Sequence, residues 1–333
     1  MKLKVFLSNT FDPWFNLATE DYIFRDMDTS YQVLFLWRNA DTVVIGRFQN
    51  PWVECNLPQM EKDGVKLARR TSGGGAVFHD LGNTNFTFMS AKEHYSKELN
   101  NCIIINALKK YGLTAVPSGR NDILIEDKKI SGSAFKETKD RAFHHGTLLI
   151  ETDLTRLAQY LNPHPKKLQA KGITSVRARV ANLTDFSPTI NHQDLTQKII
   201  EEFFLTYGTT AEVEILDDAS LKKIPALQER YEELKNWNWR FGETPEFNHH
   251  LEEKFEWGFM DVHIDAQKGK MEQVKIFSDS LHPQMVELMM ENLKGKNYDA
   301  AGVKSAIDEI KRELPMISSY LEEFEDWLVR QIS

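Results

Sequence analysis

The stretch Arg69-Arg70-Thr71-Ser72-Gly73-Gly74-Gly75-Ala76-Val77-Phe78-His79-Asp80 sets two cationic side chains ahead of three consecutive glycines and then an apolar run. Glycine places no Cβ between the backbone and an approaching group and tolerates positive φ. Successive N–H groups can therefore close on a phosphate or carboxylate while guanidinium groups stand beside them. A bare Gly-Gly-Gly also fits a flexible surface turn, but its flanks do not: residues 65–68 read as a strand and residues 76–78 resume one, so the loop runs between buried segments. No Gly-Lys-Ser/Thr follows, which excludes a Walker loop, and the glycine spacing and missing helix exclude a dinucleotide fingerprint.

Outward from this loop, Asp12-Pro13 is a cap followed by proline at the first helical position, and Trp14, Leu17, Ala18, Tyr22 and Phe24 continue a helical pattern. Residues 33–37 and 42–47 are expected as a hairpin-like pair, followed by a short helix from Pro51 to near Gly64. Downstream, residues 84–89 read as a strand and 102–111 as a helix stopped by Gly112. Residues 121–126 and 129–135 read as strands joined through Glu126-Asp127-Lys128, and 145–151 as a further strand. Helices are expected at 154–160 and 195–207. Meanders with interspersed helices indicate α+β with largely antiparallel sheets rather than a doubly wound fold.

The pattern changes at Gly242-Glu243-Thr244-Pro245, which puts a linker at about residues 243 to 252. Beyond it, residues 255–264 and 271–277 read as a hairpin, followed by helices at 285–293, 300–312 and 316–332. This small ββααα module carries no evident chemistry. The expected division is a large domain, 1–245, and a small C-terminal domain, 246–333.

With 333 residues and a formal net charge of −8, the chain is enzyme-sized and a poor match for a nucleic-acid backbone. Its cations concentrate locally (Arg47, Arg69, Arg70, Arg120, Lys128, Lys129), which suits a small anionic ligand. Cys55 and Cys102 have neither metal-ligand spacing nor disulfide density, and no apolar run approaches the roughly 20 residues that span a bilayer. A cytoplasmic protein, monomeric and without membrane or nucleic-acid partners, is expected.

Three further stretches carry chemistry. In Ser118-Gly119-Arg120-Asn121-Asp122, followed by Lys128-Lys129-Ile130-Ser131-Gly132-Ser133, a lysine entering a Ser-Gly-Ser bend can set one ammonium against an anion pocket. Asp122 is a candidate for orienting a cationic partner, or for bonding the adjacent turn. His144 and His145, adjacent on a strand, face opposite sides and cannot share a metal, and no HExxH or Cys/His cluster points to zinc. One of them is expected to pack beneath the site and bond a loop, and His79 to support the site rather than transfer protons. The segment 169–180, with Lys171, Thr174, Ser175 and Arg179, suits a loop over an anionic ligand or a plain connector.

In this order, Arg-Arg-Thr-Ser-Gly-Gly-Gly-Ala-Val-Phe-His-Asp, Gly-Arg-Asn-Asp, Lys-Ile-Ser-Gly-Ser-Ala, His-His-Gly-Thr-Leu-Leu and Lys-Gly-Ile-Thr-Ser-Val-Arg closely resemble the lipoate ligases of the biotin/lipoate protein ligase family. The resemblance covers essentially the whole chain. It implies a biotin/lipoate ligase catalytic fold, related to class II aminoacyl-tRNA synthetases, plus an α+β accessory domain. It also implies activation of lipoate with Mg-ATP to lipoyl-AMP and pyrophosphate. The lipoyl group would then pass to a lysine on lipoyl domains of 2-oxoacid dehydrogenase complexes or the glycine cleavage H protein.

By this resemblance Arg70 falls on the family's ATP-contacting arginine, Gly75, Ala76, Val77 and Phe78 on its nucleotide-binding turn and strand, and Lys129 on the lysine that touches both lipoate and ATP. Arg70, Ser72, Gly73, Gly74, Gly75, His79 and Lys129 are the expected lipoate contacts, with Asn121 and Asp122 beside them and Asp122 the candidate for orienting Mg²⁺. Lys171 to Arg179 fall on the family's adenylate-covering loop. An octanoyl or lipoyl transferase of the same fold would need a nucleophilic thiol beyond the lysine motif, whereas Cys55, in the Pro51 helix, and Cys102, at a helix start, both precede it and read as packing residues. A non-catalytic lipoate binder would be expected to have lost the lysine or the arginine.

Overall fold

The computed structural model describes residues 2–49, 51–119, 121–161, 180–241, 249–267 and 270–332. They fall into two compact units: Met1–Ile45, Pro51–Thr71 and Ala76–Phe241 form one; Gly46–Asn50, Ser72–Gly75 and Gly242–Ser333 form the other.

The strands of the first unit are β1 (Lys2–Ser8), β2 (Tyr31–Trp37), β3 (Thr42–Ile45), β4 (Lys66–Arg69), β5 (Val77–His79), β6 (Asn83–Ala91), β7 (Val116–Ser118), β8 (Asp122–Ile125), β9 (Lys128–Glu137), β10 (Arg141–Leu149) and β11 (Val213–Leu216). Eight of them form one mixed sheet in the order β11-β1-β2-β6-β10-β9-β8-β7, and β4-β3-β5 form a second. Asp12 caps the Pro13–Asp26 helix by accepting from Trp14 N, as its sequence signature requires. Phe15, Ala18 and Phe24 of this helix pack on one face of the large sheet, with Leu227 and Leu234 of the Pro225–Lys235 helix. The other face is covered by the Lys97–Lys109 and His192–Tyr207 helices through Ile103, Ile104, Ile199 and Phe203. Covered on both sides, β6 is buried along its whole length.

The strands of the second unit are β12 (His249–Phe255), β13 (Gly258–Gln267) and β14 (Lys270–Ser278), an antiparallel sheet. One face packs Met260, Val262, Ile264 and Ile276 against the helices Pro283–Leu293, Ala300–Glu313 and Ser318–Ile332.

Several sequence expectations need correction. Residues 33–37 and 42–47 are not a hairpin, because β2 and β3 belong to different sheets. The helix from Pro51 is two pieces, Pro51–Glu54 and Leu57–Lys62, separated where Cys55 bridges Leu161. Ser131-Gly132-Ser133 lies inside β9 rather than at a bend. Cys102 sits within the Lys97–Lys109 helix and is exposed, so it is no packing residue, whereas Cys55, just past its helix, is buried. In the second unit a strand, β12, occupies residues assigned to the linker and completes a three-stranded sheet. β1, β7, β11 and the helices Asp218–Lys223 and Pro225–Lys235 were not anticipated.

Candidate functional site

The two leading arginines separate. Arg69, the last residue of β4, sends its guanidinium to the end of the Trp237–Arg240 helix, where Nε donates to Trp239 O at 2.9 Å and Nη2 to Arg240 O at 2.9 Å. Its role is to tie β4 to that helix. Arg70 points the other way, is 5% exposed, and donates from Nη1 to Val44 O at 3.2 Å. Burial lowers its pKa to about 10 against the pull of the Glu20 carboxylate, which leaves it cationic at neutral pH.

Ser72–Gly75 group with the second unit. There Ser72 O accepts from Arg47 N at 2.8 Å, and Gly74 N donates to Ser280 O at 3.0 Å. A Cβ on Gly73 would lie 2.0 Å from Ser280 O, so this glycine is required by backbone packing; Gly74, at φ +93°, is required by conformation. Only Gly75 of the three combines a φ outside the left-handed region with open space around its missing Cβ. Thus two of the three glycines have structural causes of their own, and Gly75 alone is explained by neither.

In the first unit the β8–β9 hairpin turns through Glu126 and Asp127, both at positive φ, and sets Asp122 directly opposite Gly132. A register shift between Ile123 and Leu124 brings Lys129 over the same spot. Its Nζ lies 2.8 Å from Asp122 Oδ1 and would be 2.7 Å from a Cβ on Gly132. The glycine of Lys-Ile-Ser-Gly is therefore the space in which the lysine lies. Asn121 Nδ2 donates to Ser133 O at 2.7 Å, and Gly132 N donates to Thr147 Oγ1 at 3.2 Å, bracing the hairpin against β10. The Lys129 carbonyl accepts from Ala181 N at 3.0 Å. Lys128, next in sequence, is exposed.

Beneath Arg70 is a polar network that sequence reasoning missed. Glu20, buried on the Pro13–Asp26 helix, accepts from Thr87 Oγ1 at 2.6 Å and lies 2.8 Å from His145 Nδ1, while Trp37 Nε1 donates to Thr87 Oγ1 at 3.2 Å. His145 therefore bonds a helix and not a loop; His144 points to the opposite face, among Phe86, Phe88 and Phe135. Asn16 Nδ2 donates to Asn39 Oδ1 at 2.9 Å, so Asn39 Nδ2 is left to donate to His79 Nδ1 at 3.1 Å. That assigns the His79 proton to Nε2, a buried donor without a hydrogen-bond partner among the described residues. Burial, with Arg70 and His145 nearby, lowers the His79 pKa to about 3 and keeps it neutral. The only advance signal for Glu20 was an acidic residue within an apolar helical pattern.

These placements form two groups: Arg70, His79, Glu20 and His145, coupled through charge, and Lys129, Asp122, Asn121 and Gly132 around the hairpin. His145 and Thr147, which bond to one group each, share a face of β10. Val77 is half-buried on β5, next to Ala76, and the Phe78 ring is core, 5.3 Å from the Tyr160 ring. Arg120, Lys171, Thr174 and Ser175 lie outside the described residues. Burial pushes the Cys55 thiol up to about 12, unlike an activated nucleophile. Among the described residues no helix is long and apolar enough to cross a membrane.

Comparison with known proteins gives a consistent result. Residues 12–204 match the family model of the lipoyl protein ligase A/B catalytic domain, and residues 244–328 that of the bacterial lipoate protein ligase C-terminus. Lipoate-protein ligase A of Psychrobacter cryohalolentis is 53% identical over 100% of this chain and 99% of its own length. Lipoate-protein ligase A of Bdellovibrio bacteriovorus is also 53% identical, over 99% of each. Among solved structures, P. falciparum LipL1 in complex with lipoate has a TM-score of 0.88 at 31% identity, covering 98% of this chain and 99% of that one. The bipartite lipoate protein ligase of Thermoplasma acidophilum, studied with its E2 lipoyl domain, has a TM-score of 0.65 at 29% identity, over 75% and 100% of the two chains. A lipoate-protein ligase A bound with ATP has a TM-score of 0.63 at 28% identity, over 73% and 99%.

Proposed function

The chain belongs to the lipoate-protein ligase A family, and we propose that it activates lipoate with Mg-ATP to lipoyl-AMP and then lipoylates a lysine of lipoyl domains. The observation that carries this reading is the Lys129 ammonium held over Gly132 against Asp122. The same relatives support it, since one is bound with ATP, one with lipoate, and one is paired with an E2 lipoyl domain. The acceptors proposed are lipoyl domains of 2-oxoacid dehydrogenase complexes and the glycine cleavage H protein, reached by a cytoplasmic, monomeric enzyme. Residues 1–245 are proposed as the catalytic domain and 246–333 as the accessory domain.

In the first step the lipoate carboxylate attacks the α-phosphorus of ATP, and pyrophosphate leaves with the electrons of the broken P–O bond. Two anions must meet, so an ammonium bonded to both removes the repulsion and stays in place as charge moves to pyrophosphate. Lysine suits this better than arginine because a compact point charge bridges two different anions. Asp122 keeps the ammonium positioned until substrates replace it. Arg70 and the peptide at Gly75 are assigned to ATP, with Ala76, Val77 and Phe78 supplying backbone; Ser72, Gly73, Gly74 and the His79 Nε2–H are assigned to the lipoate side.

Asp122 is the carboxylate this hairpin offers to Mg²⁺; because it already pairs with Lys129, the ATP phosphates must supply most of the oxygens, which is the usual Mg²⁺ arrangement. The ion would neutralise phosphate charge. In the second step the acceptor amine attacks the acyl carbon, AMP leaves, and the amine loses its proton. Each lipoyl methylene buried contributes about 0.8 kcal/mol to binding.

Mass spectrometry of the protein with lipoate and Mg-ATP but no acceptor tests the reading. Lipoyl-AMP and pyrophosphate with an unmodified chain are expected. A thioester adduct would instead indicate a transferase, and neither product would indicate a lipoate binder.

A further inference from the structure

The accessory unit, in which the sequence offered no chemistry, carries a convergence of metal-ligating side chains. On the β12–β13 ladder His250 lies directly opposite His263, and Glu252 opposite Asp261. Met260, Val262 and Ile264 fill the core face, so the alternation of the strand puts Asp261 and His263 together on the other face. The Asp261 Oδ1 atom lies 2.8 Å from His250 Nε2 and 2.7 Å from His263 Nε2, and the ligand atoms of all three residues lie within 4.8 Å of one another. The two imidazoles stack with centroids 4.3 Å apart and planes 13° apart, and both bring Nε2 within ion-pair distance of the same carboxylate oxygen. Glu252 Oε1 is 3.6 Å from His250 Nε2.

We propose that His250, Asp261 and His263, with Glu252 beside them, form a binding site for a divalent transition-metal ion of the zinc class. Two imidazoles and a carboxylate are a donor set suited to zinc or cobalt and a poor one for magnesium. Tetrahedral zinc bonds of about 2.0–2.2 Å separate neighbouring ligand atoms by about 3.3–3.6 Å, so the two carboxylate–imidazole contacts, at 2.8 and 2.7 Å, need to open by less than about 1 Å. His250 can provide that movement, since its side chain is 51% exposed, while Asp261, at 5%, fixes the anchor. Each imidazole would carry its proton on Nδ1 and offer the Nε2 lone pair to the ion. Lys275, paired across the sheet with His263, adds one positive charge, which Glu252 offsets. Bound metal would join β12, the edge strand, to β13 and stabilise the accessory unit.

The test uses the full chain without an affinity tag, stripped with chelator and titrated with Co²⁺ and then Zn²⁺. Visible absorption saturating at one Co²⁺ per chain is expected, lost on addition of Zn²⁺, with a rise in Tm of several degrees at saturating metal. His250→Ala, at a half-exposed position, should keep the metal-free Tm and weaken binding at least tenfold; Asp261→Asn should do likewise for binding. The proposal is overturned if Co²⁺ gives no saturable absorption, or if His250→Ala binds it as tightly as the parent chain.

Discussion

The glycine loop and the β8–β9 hairpin differ in how their sequences relate to their chemistry. Residues 72–75 look like a purpose-built anion cradle, yet Gly73 is fixed by the Ser280 carbonyl and Gly74 by its φ, and Gly75 alone has open space with an ordinary φ. The hairpin looks ordinary, yet Gly132 is the cavity that accommodates the Lys129 side chain and Asp122 is the counter-ion across the strand. A conspicuous glycine run can thus serve packing, while a single glycine within a strand can shape the site.

The largest expected effect separates the two neighbouring lysines. Lys129→Ala should slow adenylate formation by about 100- to 1,000-fold, the scale for removing a preorganised charge, whereas Lys128→Ala should stay within about threefold. Comparable small losses in both, measured as pyrophosphate release, would remove the hairpin from the chemistry. Next is a contrast of glycines. Gly132→Ala pushes its Cβ into the flexible end of Lys129, so it should cost about tenfold or more in adenylate formation with little change in Tm. Gly73→Ala meets backbone instead, so it should lose about 1–3 kcal/mol of stability. If the two substitutions gave the same profile in thermal melts and kinetics, the distinction between packing and site glycines would fail. Gly75→Ala, with open space and an ordinary φ, should hold stability within about 0.5 kcal/mol while raising the KM for ATP a few-fold.

The smallest effect at neutral pH concerns the face of β10 turned away from both groups, whose consequence shows only in acid. Burial lowers the His144 pKa to about 3, with His145 and Lys97 adding to it. Below the ordinary histidine pKa of about 6.5 the unfolded chain takes up a proton that folded His144 refuses, so stability falls as pH drops from there toward 3, by up to about 1.4 kcal/mol per pH unit. His79 contributes in the same direction. His144→Phe, among Phe86, Phe88 and Phe135, should flatten this acid limb by one proton and leave the activity at pH 7 unchanged, read from denaturant melts across pH.

Local signals carried much of the fold into the sequence. Asp12-Pro13 marked a helix start, and the Glu126-Asp127-Lys128 segment marked the turn between β8 and β9, because caps and tight turns depend on neighbouring residues. Long-range pairing was hidden: β2 and β3 are close in sequence but belong to different sheets, and β1 pairs in parallel with β11 from far along the chain. Within the candidate site, Lys129 and Arg70 were legible as charges beside glycines. Glu20, Asn39 and the His250–Asp261–His263 cluster were not, since each acquires its partners only through tertiary contact or strand register.

The role of Lys129 is tested most directly by supplying Lys129→Ala with chemically prepared lipoyl-AMP and a lipoyl domain, alongside the same variant with lipoate and Mg-ATP. If the ammonium serves to bring two anions together, the variant should transfer lipoate from the ready-made adenylate at close to the parent rate while making almost none of its own. Equal failure in both reactions would contradict that role and return Lys129 to general support of the site.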